Sequence, residues 1–237
     1  MDIRGASALV TGAGRGIGRA VALALGQAGA HVTAVSRTAR EIDAVVAEIQ
    51  SAGGRALAFA GDLTSPGVAS RVVAAAVAAH GGLQVLVNNA GVGAHGNLAE
   101  TTDETWELVI GTNLSAVFRL TRAALPHLTQ KGGHVFMISS LAGTNPIAGM
   151  AAYCASKAAL DHLAACLMLE VRQQGVKVTT IAPGSVDTTF GGAPRADASW
   201  MLTAEDVAQA VLDLLGTRDG AHLSQVEMRP ARPQKRV

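Results

Sequence analysis

Residues Ser7–Ala20 read SALVTGAGRGIGRA: a short apolar run, a glycine-rich turn, and the start of an alanine-rich stretch. A strand that passes through such a turn into a helix is the opening unit of a doubly wound α/β sheet. Glycines there let the backbone approach a phosphate, and the helix N-terminus offers N–H donors and a positive dipole end. The spacing is GxxxGxG, from Gly12, Gly16 and Gly18; GxGxxG is not met, because Ile17 stands where its third glycine would fall. Glycines also make plain turns. Position between strand and helix is what favours a dinucleotide.

The same rhythm continues along the chain. Runs at 7–11, 31–36, 55–60, 85–88, 134–139, 176–182 and 225–229 read as strands. Most are apolar throughout, the pattern of strands covered on both faces. Helices are expected near 17–28, 39–52, 65–80, 103–130, 153–174 and 204–216. Strand and helix alternating to the end predict an α/β fold: a doubly wound, Rossmann-type, seven-stranded parallel sheet with helices on both faces, in one domain over 1–237. Two loops at strand ends, 141–150 and 185–201, should border any site, since ligands bind at the carboxyl ends of such strands. The end of the chain, 230–237, reads as a basic, proline-rich tail.

Composition narrows the function. With 237 residues and 49% hydrophobic content the chain can bury a large core, and with 3% aromatics that core must be mainly aliphatic. A net charge of +1 gives no electrostatic footprint for nucleic acid. The start "MDIRG" leaves no room for a leader, and the longest apolar stretch, 148–169, is interrupted by Lys157 and Asp161. A cytoplasmic, membrane-free protein is expected. Cys154 and Cys166 fit no metal or redox spacing, and no metal site is expected.

Thr11–Gly18, the "NNAG" of 88–91 and Tyr153-x-x-x-Lys157, in this order, resemble the single-domain short-chain dehydrogenases/reductases over essentially the whole chain. In style the chain is similar to the bacterial 3-oxoacyl-carrier-protein reductases. An NAD-preferring site commonly has Asp or Glu at the end of strand two, about 20 residues past the glycines. Here Ser36 and Arg37 stand there. A hydroxyl and a guanidinium would welcome a 2′-phosphate, with Arg15 closing from the glycine loop, so NADP(H) is the expected coenzyme. The resemblance implies further contacts: Asp62 and Leu63 at the adenine, Asn89, Ala90 and Gly91 at the ribose, and Pro183, Gly184, Val186 and Thr188 at the nicotinamide and pyrophosphate.

Tyr153 is the only tyrosine in the chain. Lys157, four residues on, shares its helix face, and an ammonium there is expected to lower the phenol's pKa toward operating pH. By resemblance Tyr153 transfers the proton and Lys157 also holds the nicotinamide ribose. Ser140 polarises the substrate carbonyl, and Asn113 holds a water that links Lys157 to solvent. Ser139 adjoins Ser140, but strand alternation sends the two side chains to opposite faces; spacing selects Ser140.

These residues point to reduction of a small carbonyl compound or acyl thioester. Oxidation of an alcohol on the same fold, or coenzyme sensing without catalysis, are the competing readings. His95 is a candidate for the substrate mouth. Phe190, Trp200 and Met201 in a lid over 187–201 imply an apolar pocket. Lys131 matches a carrier-gripping position of the family, whereas Gln174 replaces an arginine often found at another. Self-association into a dimer or tetramer, through the helices carrying Asn113 and Tyr153, follows from the resemblance. The ending "HLSQVEMRPARPQKRV" departs from the family's glycine-rich close.

Overall fold

The structure, a computed structural model, describes residues 1–130, 132–190 and 197–232. Seven parallel strands lie in the order β3-β2-β1-β4-β5-β6-β7: β1 (Ser7–Thr11), β2 (His31–Ser36), β3 (Arg55–Ala60), β4 (Val85–Asn88), β5 (His134–Ile138), β6 (Lys177–Pro183) and β7 (Gln225–Met228). Order reverses between β1 and β4, so the loops leaving those strands diverge and open a crevice at their carboxyl ends.

Strand alternation feeds two cores. Ala8, Val10, Val85, Val87 and Phe136 pack under α1 (Gly16–Gln27), α2 (Ala39–Ser51) and α7 (Ala204–Leu215). Leu9, Leu86, Val135 and Met137 face α3 (Val68–His80), α5 (Ala116–Leu128) and α6 (Ala151–Val171). Large side chains such as Phe136 and Leu9 are fully buried, each worth about 1.5–3 kcal/mol over exposure. The inner strands are therefore apolar on both faces, whereas the edge strands β3 and β7 stay half exposed.

The helices depart most from the sequence expectation in three places. Helix α3 begins at Val68, because Asp62 Oδ1 takes the Thr64 N–H in a turn and Gly67 adopts a left-handed φ of 74°. The stretch 103–130 is not one helix. It is α4 (Asp103–Ile110), a π-turn over Gly111–Ser115, and α5. Helix α6 starts at Ala151, which puts Tyr153 inside its first turn.

The unusual ending has a definite place. Met228 at the end of β7 accepts the Gly184 N–H at 2.8 Å, and a Cβ on Gly184 would lie 3.3 Å from Pro230 Cδ. The chain's last strand thus props the loop leaving β6. Residues 233–237 of the tail, 191–196 of the expected lid, and Lys131 lie outside the described residues. Among the described residues no helix is long and apolar enough to cross a membrane.

Candidate active site

The crevice is a cavity of about 510 Å³ reaching from the ends of β2 and β3 across to α6. Its floor is the β1–α1 turn. Gly12 and Gly16 hold left-handed φ values of 63° and 52°, a region that penalises side chains. A Cβ on Gly12 would stand 2.8 Å from Asn89 Nδ2, and one on Gly18 would collide with the Gly12 carbonyl. The motif glycines are needed first for close packing of turn, helix and neighbouring loop.

Thr11 stitches that neighbour in place. Its Oγ1 accepts the N–H groups of Asn89 and Ala90 at 2.9 and 3.0 Å and donates to Val87 O at 3.3 Å. Asn89 Nδ2 returns to the Thr11 carbonyl at 2.9 Å. The NNAG segment is therefore held against the glycine turn by the same residue that ends β1.

Eighteen of the twenty residues assigned from the sequence to catalysis or coenzyme binding line this one cavity; the other two, Gly18 and Asn113, lie behind its wall. Asn113 is buried within the π-turn, where one extra residue per turn aims it inward. Its Oδ1 accepts Val92 N–H at 2.8 Å, while its Nδ2 donates to Val92 O at 2.9 Å and to Ser156 Oγ at 3.0 Å. The side chain braces the loop after NNAG against α6.

The Tyr153–Lys157 pair needs a correction. Burial pushes the Tyr153 phenol above its ordinary value of 10, with the Ser140 hydroxyl pulling partly the other way. The ammonium does not bring it down in the protein alone. Lys157 Nζ donates to the Ile138 carbonyl at 2.8 Å and lies 5.7 Å from the centre of the tyrosine ring. Helical spacing sets the face; the carbonyl takes the charge. Burial in turn lowers Lys157 to about 8, opposed by the negative charge of Asp161.

Ser140 Oγ accepts the Ala142 N–H at 3.1 Å, so its own proton points away from the backbone, on the side of the Tyr153 phenol. Ser139 buries its hydroxyl without a hydrogen-bond partner of good geometry, on the side of Asp161, whose carboxyl it eases against the effect of burial. The apolar end of the cavity carries His95, Leu108, Met150, Phe190 and Met201. Phe190 stacks obliquely 5.8 Å from the Tyr153 ring. Trp200 does not line the cavity.

Two further residues belong to the neighbourhood. Asp161 stands one turn beyond Lys157, with burial raising its carboxyl, and packs so tightly on Gly143 that a Cβ there would overlap it. Its i, i+4 spacing from Lys157 is the signal that could have found it. Glu41 projects into the cavity from the first turn of α2. Its spacing from Thr38 reads as an ordinary helix cap, which conceals it.

Comparison with known proteins agrees with this fold. Residues 6–199 match the sequence profile of the family described as short chain dehydrogenase. The rabbit (Oryctolagus cuniculus) dehydrogenase/reductase SDR family member 4 is 38% identical over 191 residues, covering 78% of this chain and 72% of the relative. A 2,5-dichloro-2,5-cyclohexadiene-1,4-diol dehydrogenase of Sphingobium indicum is 40% identical over 187 residues, covering 78% and 75%. A crystal structure of a metagenomic short-chain oxidoreductase in complex with NADP superimposes with a TM-score of 0.87 at 38% identity, over 98% of this chain and 100% of that one. A nicotinamide dinucleotide fits the glycine-floored crevice, and the chain belongs to the short-chain dehydrogenase/reductase family of oxidoreductases.

Proposed function

We propose that the protein is an NADPH-dependent reductase that converts a carbonyl, in a ketone, aldehyde or 3-oxoacyl thioester, to an alcohol. The observation that carries this reading is the convergence of Ser140, Tyr153 and Lys157 on the same cavity as the glycine turn and Arg37. Gly12, Gly16 and Thr188 would hold the pyrophosphate, Arg15 and Arg37 the 2′-phosphate, and Lys157 the nicotinamide ribose. When bound, NADPH supplies the hydride.

The chain supplies the rest. Ser140, whose hydroxyl faces the Tyr153 phenol, would donate to the substrate oxygen as negative charge develops there. Tyr153 then delivers its proton to that oxygen. A phenol pushed upward by burial is protonated throughout the neutral range, which suits an acid in the reductive direction. Lys157, anchored to Ile138, stands ready to stabilise the phenolate that remains. Phe190 and Met150 favour an apolar substituent on the substrate.

One observation favours a second reading, oxidation of an alcohol. The Sphingobium indicum relative is by its name a diol dehydrogenase. Oxidation needs the phenolate, which burial of Tyr153 opposes. Initial rates with a panel of ketones, aldehydes and 3-oxoacyl thioesters, and with the matching alcohols, each with the phosphorylated and unphosphorylated coenzyme, decide between them. Activity on alcohols alone would overturn the reductive reading, and equal rates with either coenzyme would overturn the assignment of Arg37. Half-exposed Phe118 on α5 and exposed Leu169 on α6 support pairing through those helices. A sedimentation experiment giving only monomer would remove that part.

A further inference from the structure

We propose that Glu41 is a coenzyme-selectivity residue. Its carboxylate stands beside the place a ribose 2′-phosphate must occupy, and it holds the preference for NADP(H) over NAD(H) below what Arg15 and Arg37 would otherwise produce. The proposal rests on the NADP(H) reading above.

Thr38 and Glu41 have the spacing of a capping box, in which a glutamate at the third helical position reaches back to the N–H of the cap residue. The box does not form. Thr38 makes no side-chain cap bond. Its N–H donates to Ser36 Oγ at 3.2 Å, and Ser36 Oγ donates in return to Thr38 O at 3.2 Å. This exchange satisfies the donor that Glu41 would have taken. It also occupies the Ser36 hydroxyl that the sequence reading reserved for the phosphate.

Released from capping, Glu41 folds over the glycine turn. A Cβ built on Gly14 would stand 2.6 Å from Glu41 Oε2 and 3.3 Å from Ser36 Oγ. Glu41 Cβ would also stand 2.9 Å from it, so a side chain on Gly14 would displace Glu41 from this position. Gly14, Arg15, Ser36, Arg37 and Glu41 all line the cavity. No ion pair neutralises Glu41: among the described residues the pairs are Arg4–Asp2, Arg19–Glu48 and Arg229–Glu227. The N-terminal end of α2 favours an acid in its first turn, but that preference does not require the acid to face the cleft. A carboxylate beside a phosphate dianion is repelled by it at short range and in low salt. Against the uncharged 2′-hydroxyl of NAD(H) it meets no such opposition.

The test is direct binding to the whole purified chain. NADPH and NADH are titrated separately, with coenzyme fluorescence as the readout, against wild type, Glu41→Gln, Glu41→Ala and Arg37→Ala. We expect both Glu41 variants to bind NADPH about tenfold more tightly at low salt, with NADH within about twofold of wild type. The gain should shrink as salt is raised. An unchanged NADPH affinity, or a gain shared equally by NADH, overturns the proposal. So does a selective loss of NADH affinity, which would make Glu41 a hydroxyl acceptor. Arg37→Ala separates the two levels. If it weakens NADPH selectively while the Glu41 variants do nothing, only the Glu41 assignment fails. If it leaves the ratio of the two coenzymes untouched, the NADP(H) reading itself fails.

Discussion

Lys157 donates its ammonium to the main-chain carbonyl of Ile138 at 2.8 Å. Ile138 ends β5, so this bond joins α6, which carries Tyr153, to the strand that leads into Ser139 and Ser140. Three groups on two elements become one rigid assembly. The charge is thereby aimed at a fixed dipole, and Tyr153 is left with the character that burial gives it.

The first prediction concerns stability. Lys157 titrates near 8 in the folded chain, against an ordinary value of 10.5. Between those values the unfolded chain keeps a proton that the folded chain has lost, so this site's contribution to stability rises with pH there. Below pH 8 the buried ammonium is a standing penalty of roughly 3 kcal/mol before its hydrogen bond is removed with it. Lys157→Met should therefore melt no lower than wild type at pH 7, with any advantage narrowing between pH 8 and 10. Its turnover should fall on the order of 100-fold or more. A melting temperature well below wild type at pH 7 would mean that the bond to Ile138 outweighs the buried charge.

Tyr153→Phe should keep the fold, since the ring is buried beside Phe190 and only the hydroxyl is removed. Loss of a general acid is worth about 10²–10⁴ in rate. Coenzyme affinity, measured by fluorescence titration, should change by less than about threefold, on the premise that the hydroxyl acts chiefly in the chemical step. Turnover within tenfold of wild type would remove the proton-transfer assignment.

Asp161 supports the charged form of Lys157 from one turn away. Removing that charge in Asp161→Asn should let burial depress the lysine further. The limb of the kcat/KM profile that reports Lys157 in the free enzyme should move to lower pH, whereas Asp161→Glu should restore it in part. A variant that loses activity equally at all pH values would mark Asp161 as a packing residue against Gly143 only.

At the opposite end of the sheet, His134 is buried and held neutral, with burial lowering it to about 3. Thr179 spends its hydroxyl proton on Leu223 O at 2.7 Å, so it accepts from His134 Nε2–H at 2.8 Å. The unfolded chain takes up a proton near pH 6.5 that the folded chain refuses. The stability from this site is thus present above pH 6.5 and lost as pH falls toward 3, about 2 kcal/mol by pH 5. Denaturant melts of His134→Gln should show a flatter acid limb than wild type; parallel limbs would contradict this.

Much of the architecture was legible because it rests on local periodicity. The apolar runs at 7–11, 85–88 and 134–138 carry both faces of a covered strand in their composition. Gly12, Gly16 and Gly18 announce a turn that only glycine can make. Tyr153 and Lys157 could be paired from spacing alone. The π-turn at Gly111–Ser115 could not be seen, since a change from four to five residues in the hydrogen-bond ladder leaves no mark on hydropathy. The opening of α3 was hidden for a similar reason: Asp62, Thr64 and Gly67 build a turn within a stretch that otherwise reads as helix.

The order of residues, by itself, determined which side chains share a strand end or a helix face, because those depend on neighbours two to four positions away. Only the tertiary structure decided where the charges go. Lys157 found the carbonyl of Ile138, and Glu41 was sent to Gly14. Each outcome is a choice among competing hydrogen-bond partners, and such a choice is settled by distance and burial, which exist only after the chain has closed on itself.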